Sequence, residues 1–346
     1  MMYLNTIGID LAKNIFHLVV LDQTGKKTLS KKLTREEFLP FLEAKASPDT
    51  LISMEACGTA HYWAQEIEKL GFCVKLFKPR DVKAYLGDKQ KNDINDALSI
   101  AKIALDPDRR SVAIKTRSQQ QVCFLHKRRQ QLIEQRIKNT NALRSVLAEF
   151  GVYITQTPNI FIKRVCAIVE NAHFDKPFLD SVYRTLTRMA EDIQSLQHQI
   201  QCLDKDITTL NKTSECVKKL KSIPGIGELN ASILSVCSVA SYATDRDFAA
   251  SLGIVPKQNT TGGHIKLGRI TKRGNRYIRT LLIQGGRSVI IQASKNKTKN
   301  THERLKAWAL LKYDELGFNK AAVAVANKLA RIVWSVITTD CMYDAR

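Results

Sequence analysis

The sequence predicts a mixed α/β N-terminal domain, a helical coiled-coil arm and a mainly helical C-terminal domain. Three observations carry this. Strand and helix signals alternate over the first hundred residues, heptad-spaced apolar residues run from Leu186 to Leu210, and the last third combines glycine-rich turns with an apolar helix.

Tyr3–Asp10 and Ile15–Asp22 are apolar runs joined by a tight connection, and Gln23-Thr24-Gly25-Lys26 supplies turn chemistry before a polar edge strand around Lys27–Leu33. Thr34-Arg35-Glu36-Glu37 is a capping box that opens a helix to about Ala46. A strand ending at Glu55, a helix from about His61 to Leu70, a strand at Cys73–Phe77 and an acidic helix follow. This order is expected of a ribonuclease-H-like sheet; an ordinary doubly wound sheet fits the early hairpin strands less well. The expected domains are 1–112, 113–212 and 213–346.

The arm begins with a polar helix over about Ser118–Phe150 that carries Lys127, Arg128, Arg129, Arg136, Lys138 and Arg144. Apolar residues at 186, 189, 193, 196, 200, 203, 207 and 210 then alternate in steps of three and four, which defines a heptad seam. The seam packs either against the first helix or between chains; an antiparallel arm that also mediates dimerisation is favoured. In the last third, Ile223-Pro224-Gly225-Ile226-Gly227 reads as a helix-hairpin-helix turn, with Gly225 and Gly227 allowing backbone N–H groups close to a phosphate. A plain helix-terminating turn is the structural alternative. Lys266, Arg269, Lys272, Arg273, Arg276 and Arg279 form a basic loop suited to a nucleic-acid backbone, Trp308 and Trp334 read as core, and a helix over about Asn319–Val336 closes the domain.

With 54 Lys plus Arg against 33 Asp plus Glu, the formal charge of +21 points to a polyanionic partner. Membrane binding is not expected, since no apolar run approaches about 18 residues, and the first residues lead straight into a strand, unlike a secretory signal. The eight cysteines include no Cys-x-x-Cys pair and read as reduced core residues of a cytosolic protein.

Chemistry concentrates in four carboxylates. Asp10 ends Ile7-Gly8-Ile9-Asp10, Glu55 ends Leu51-Ile52-Ser53-Met54-Glu55, and Asp93 and Asp96 stand i, i+3 on one helix face. Converging carboxylates repel one another until hard divalent cations neutralise them, and a pair of such ions can clamp the oxygens of a phosphoryl transfer. Lys91 and Asn92, beside the acid pair, are candidate phosphate contacts. His17, His61, His126 and His264 lack metal-ligand spacing and read as structural or surface residues. His264 is also a candidate phosphate contact or proton acceptor.

Together these motifs resemble the DEDD transposases of bacterial insertion sequences, the insertion-sequence 110 family, in its Thr-Gly-Gly subgroup. Gly8-Ile9-Asp10, Met54-Glu55-Ala56-Cys57-Gly58-Thr59 and Lys91-Asn92-Asp93-Ile94-Asn95-Asp96-Ala97 carry a RuvC-like half. Ile223-Pro224-Gly225-Ile226-Gly227, Leu252-Gly253-Ile254-Val255-Pro256 and Ile270-Thr271-Lys272-Arg273-Gly274-Asn275 carry a C-terminal transposase half. The resemblance implies a recombinase that cuts and rejoins DNA, with a structured noncoding bridge RNA pairing to donor and target. It also implies Mg²⁺ (Mn²⁺ as the alternative) on Asp10, Glu55, Asp93 and Asp96, and a covalent hydroxyl nucleophile. The family's serine is replaced here by Thr261, first by register, or Thr260; a working threonine nucleophile and an impaired copy both fit. A homo-oligomer (a dimer, or a tetramer on DNA) follows, in which one chain's acids serve another's hydroxyl, in a nucleoid-associated cytoplasmic protein.

Three further readings compete: a Holliday-junction-type nuclease using the acids and water, a non-catalytic nucleic-acid-binding copy, and a sugar-kinase or actin-like ATPase. The last lacks a second glycine-rich phosphate motif.

Overall fold

The computed structural model describes residues 5–87, 92–154, 160, 161, 163–165, 167, 179–261, 264–295 and 304–344. They fall into two compact units, divided between Gln120 and Gln121.

The first unit is a five-stranded sheet of β1 (Asn5–Leu11), β2 (Ile15–Leu21), β3 (Lys27–Thr34), β4 (Thr50–Glu55) and β5 (Cys73–Phe77), in the order β3-β2-β1-β4-β5. β1, β2 and β3 pair antiparallel, while β4 and β5 run parallel to β1. The polar β3 is the exposed edge, as its composition predicts. Ile7, Ile9, Phe16, Leu18, Ile52 and Met54 line one face. They pack on Phe38 and Leu42 of α1 (Arg35–Lys45) and on Trp63, Ala64 and Ile67 of α2 (Ala60–Lys69). The predicted capping box is present, the Thr34 hydroxyl accepting from the Glu37 amide while the Glu37 carboxylate accepts from Thr34 N–H. The opposite face carries α4 (Asp93–Leu105), with Ala97 and Ala101 on Val19 and Leu21, and Ile100 and Ile103 on Leu51. A helix the sequence reading did not separate, α3 (Pro79–Leu86), packs Val82 into that second layer. The segment after α4 returns to β5 through a Leu76–Val112 bridge and to α2 through Lys115, whose backbone N–H donates to His61 Nδ1 at 3.3 Å. Burial and the nearby Lys115 ammonium depress the His61 pKa to about 4.

In the second unit α5 (Arg117–Glu149) and α6 (Asp180–Asn211) run antiparallel. Arg129 binds Asp204 and Arg136 binds Gln197, while Leu132 meets Leu196 and Ile200. Farther along, Leu143 and Leu147 share a cluster with Leu186, Ala190 and Ile193. Most of the predicted seam is thus buried within the chain; Leu210, at its end, is exposed. Beyond it lie α7 (Glu215–Lys221), α8 (Glu228–Ser235), a 3₁₀ turn (Val239–Ser241), α9 (Asp245–Ser251), β6 (Pro256–Thr261), β7 (His264–Ile270), α10 (Arg276–Lys295), α11 (Arg304–Leu316) and α12 (Phe318–Thr339).

Among the described residues one helix, α12, is long and apolar enough by length and mean composition to cross a membrane, although Lys320, Lys328 and Arg331 interrupt its apolar run. Its Ala322, Val325, Ala326, Leu329 and Val333 are fully buried in the core shared with α10 and α11, as in a central helix of a globular domain. Trp308 and Trp334 pack against that core, Trp334 Nε1 donating to the Tyr242 carbonyl. The described cysteines differ from the expected core placement: Cys73, Cys202 and Cys341 are exposed, and Cys57, Cys123, Cys216 and Cys237 are only half-buried, while Cys166 lies outside the described residues.

His126 is structural, as expected. It is 1% exposed, with Nδ1 2.9 Å from Tyr277 Oη and Nε2 3.0 Å from Ser232 Oγ. Burial, aided by Arg129, lowers its pKa from 6.5 to about 4. Between those values the unfolded chain binds the extra proton. Stability is therefore full above pH 6.5 and falls as pH drops toward 4, by about 3 kcal/mol for this one group. Urea denaturation of wild type and His126→Gln at pH 7 and pH 4.5 checks this: the gap between the two proteins narrows by about 2–3 kcal/mol at the lower pH.

Candidate active site

Two of the four acids end neighbouring parallel strands. Ile9 pairs with Met54, so Asp10 and Glu55 follow at the next register position. Side chains alternate along a strand, which puts them on the face of Gly8 and Ser53. That face is the one covered by α4: Ser53 Oγ donates to the Ile100 carbonyl at 3.0 Å, and a Cβ on Gly8 would lie 2.2 Å from the Ala97 carbonyl oxygen. Glycine at position 8 therefore lets α4 lie directly on β1. Asp93 and Asp96 occupy the first turn of α4, where the helix dipole favours carboxylates. Asp93 is exposed, and Asp10, Glu55 and Asp96 are half-buried. The fold brings all four acids to one face of the sheet at its C-terminal edge.

A fifth residue joins them. His17 stands opposite Asp10 in the β1–β2 ladder, only 7% exposed, with Nε2 3.1 Å from Asp93 Oδ2. Read from sequence as a structural or surface residue, it is buried and in contact with one of the four acids. Asn92 caps α4 by accepting from Asn95 N–H, which accounts for it without a phosphate; Lys91 lies outside the described residues. An all-oxygen carboxylate set suits a hard divalent ion. Among the described residues, no three His, Cys, Asp or Glu side chains converge closely enough to hold one.

Thr260 and Thr261, read from sequence as part of a loop, are the last residues of β6, which pairs antiparallel with β7. Thr260 pairs with Ile265 and Thr261 with His264; Gly262 and Gly263 lie outside the described residues. Both threonines are exposed, and Thr260 Oγ1 accepts from Gln258 Nε2 at 3.0 Å. The base of the hairpin is locked backbone to backbone. Cβ atoms on Gly253 and Gly274, both with positive φ, would lie 2.3 Å from the Arg273 backbone and 2.0 Å from the Ser251 carbonyl. Lys272, between them, is itself left-handed at φ 54°. Beside this turn is a cleft lined by Pro256, Lys257, Gln258, Asn259, Thr271 and Arg273.

The basic residues divide. Lys127 and Arg128 on α5, and Lys266, Arg269, Lys272, Arg273 and Arg276 at the hairpin, are exposed and offer cationic surface. Arg129, expected to face nucleic acid, is turned into the α5–α6 pair by Asp204, and Arg136 is half-buried against Gln197. Arg279 is 8% exposed and donates to the Leu252 and Arg273 carbonyls, tying together the two segments that hold the hairpin. Gly225 also serves packing: its positive φ and close approach to the Gly285 backbone leave no room for a Cβ. Gly227 is exposed at the start of α8 with open space around it, and the adjacent Glu228 is engaged by Lys221 and Asn211.

Two family models match the chain: a transposase model of the DEDD type over residues 7–152, and one described as the transposase IS116/IS110/IS902 family over residues 217–303. Full-length similarity agrees with them. The chain is 34% identical over 345 residues to a probable family 20 transposase of Pseudomonas aeruginosa, covering 99% of each chain. It is 35% identical to the transposase for insertion sequence element IS1328 of Yersinia enterocolitica, covering 98% of each. It is 30% identical to that for IS1111A of Coxiella burnetii, covering 97% of this chain and 90% of the other. The acid edge falls inside the first matched region and the threonine hairpin inside the second, and the chain belongs to the IS110/IS116/IS902 family of insertion-sequence transposases.

Proposed function

We propose that this transposase cuts and rejoins DNA through a covalent threonine–phosphate intermediate at a Mg²⁺-dependent acidic site. The observation that carries the reading is the placement of Asp10, Glu55, Asp93 and Asp96 on one sheet edge, pinned by the contact of α4 with Gly8. Asp10, Glu55, Asp93 and Asp96 would hold the metal, with Mn²⁺ as the alternative ion. When bound, the metal neutralises charge developing on the phosphoryl and leaving oxygens.

The nucleophile is the hydroxyl of Thr261, or Thr260 in second place. Its oxygen attacks phosphorus and forms an O–P bond. The P–O bond to one deoxyribose breaks, and the released sugar oxygen takes up the proton lost by threonine. Attack by another strand's sugar hydroxyl reverses these events and rejoins the DNA. Thr261 suits the role because its hydroxyl sits at the exposed end of β6, whereas that of Thr260 is already engaged by Gln258.

The exposed cations of α5 and the hairpin contact DNA and RNA backbones, consistent with the charge of +21. A bridge RNA supplies sequence specificity by base pairing, as in other guided systems. The working form is a homo-oligomer in the bacterial cytoplasm, on DNA and without a membrane partner.

The test incubates purified protein, the noncoding RNA flanking its gene, Mg²⁺ and junction DNA, and looks for a protein–DNA adduct on a denaturing gel. Thr261→Ala is expected to abolish the adduct, and Thr260→Ala to leave it. Cleavage by wild type without any adduct would instead establish a nuclease that uses water.

A further inference from the structure

His17 is buried on the α4-facing row of β2, where its neighbours Val19 and Leu21 are apolar. A valine or leucine would fill that position at no polar cost. The imidazole instead carries a penalty: Nδ1 is fully buried with no hydrogen-bond partner among the described residues, an arrangement that is costly in a protein core. Nε2 lies 3.1 Å from Asp93 Oδ2, and Asp10 stands directly across the ladder. An ionised carboxylate only accepts, so the contact requires hydrogen on Nε2. The ring is held by the sheet, whereas Asp93 is an exposed residue at the first position of a helix.

We propose that His17 is a positioning residue for the acidic site: it donates Nε2–H to one Asp93 oxygen and leaves the other to a divalent cation. The idea rests on the metal-binding reading above. Partners that fix ligating carboxylates in this way typically govern metal affinity by tenfold to a hundredfold. His17 would thus give an exposed aspartate a defined orientation as a ligand, and the buried Nδ1 is the cost of placing a donor there.

The experiment titrates Mn²⁺ into full-length wild type, His17→Leu, His17→Gln and Asp10→Asn by calorimetry, with melting temperatures taken without metal. His17→Leu is expected to weaken Mn²⁺ about tenfold or more while melting no lower than wild type, because the orphaned nitrogen is gone. His17→Gln, whose side-chain N–H extends as far as Nε2, is expected to recover most of the affinity. Unchanged affinity in His17→Leu overturns the proposal, as does a His17→Gln protein that folds like wild type yet binds as weakly as His17→Leu. Should His17→Leu fail to fold, His17→Asn, whose shorter amide stops short of Asp93, takes its place in the comparison. Equal Mn²⁺ binding by wild type and Asp10→Asn would show that the metal reading itself is wrong, and this inference with it.

Discussion

Gly8→Ala is expected to destabilise the first unit by about 3 kcal/mol or more and to abolish recombination. The added Cβ would lie 2.2 Å from the Ala97 carbonyl oxygen, 2.3 Å from the Ala101 amide nitrogen and 2.7 Å from the Ala101 Cβ. The first two contacts are backbone, so no rotamer change relieves them. Either α4 lifts from β1 or the strand bends, and each moves Asp93 and Asp96 relative to Asp10. Gly58→Ala, in the motif that follows Glu55, is the control: nothing lies within 4 Å of a Cβ there. Thermal melting is the measurement. A loss of about 10 °C is expected for Gly8→Ala, against little change for Gly58→Ala. Equal melting temperatures would mean that α4 has slack on the sheet and that the acid edge is not pinned as described.

Most of the first unit was legible because its signals are local. The apolar runs, the Thr34–Glu37 capping box and the polar third strand sit where the sequence put them, and they specify the hairpin-first sheet order. The positions of the four acids, near strand ends and i, i+3 on one helix, were legible too. The approach of His17 to Asp93 was not, because it comes from pairing across a hairpin, which no spacing rule along one element reveals.

The C-terminal half was read less well, for identifiable reasons. β6 runs Pro-Lys-Gln-Asn-Thr-Thr, exposed at every position, so it lacks the apolar alternation that marks a strand; backbone pairing with β7 defines it instead. The glycines of the Pro-Gly-Ile-Gly turn suggested phosphate contact; the sequence did not reveal the packing need at Gly225, against which the Gly285 backbone lies. Charge alone did not separate Arg129 and Arg279, which hold the fold together, from exposed neighbours such as Arg128 and Arg273. The heptad seam was legible, but the α5–α6 pairing within the chain rests on Arg129–Asp204 and Leu132–Leu196 contacts formed between distant parts of the sequence.

Asp10→Asn is expected to lower strand cleavage by about 10³-fold or more, the scale of several kcal/mol of lost metal-assisted charge stabilisation. The amide matches the carboxylate in shape, so β1 and the α4 contact survive. It removes one charge from a cluster in which acids from β1, β4 and α4 share a face, so the metal-free protein is expected to melt at the same temperature as wild type or higher. DNA and RNA affinity, carried by the lysines and arginines of α5 and the hairpin, is expected to remain. Three measurements on one sample separate the cases: cleavage, nucleic-acid binding at fixed salt, and the rise in melting temperature on adding Mg²⁺. A ligand that binds only the folded state raises stability in proportion to the logarithm of its occupancy, so wild type should gain from Mg²⁺ and Asp10→Asn should gain much less. Loss of cleavage with an undiminished Mg²⁺ shift would place the ion elsewhere and leave Asp10 a role in orienting the substrate. Loss of nucleic-acid binding as well would point to misfolding, and full cleavage would remove the acidic edge from the chemistry altogether.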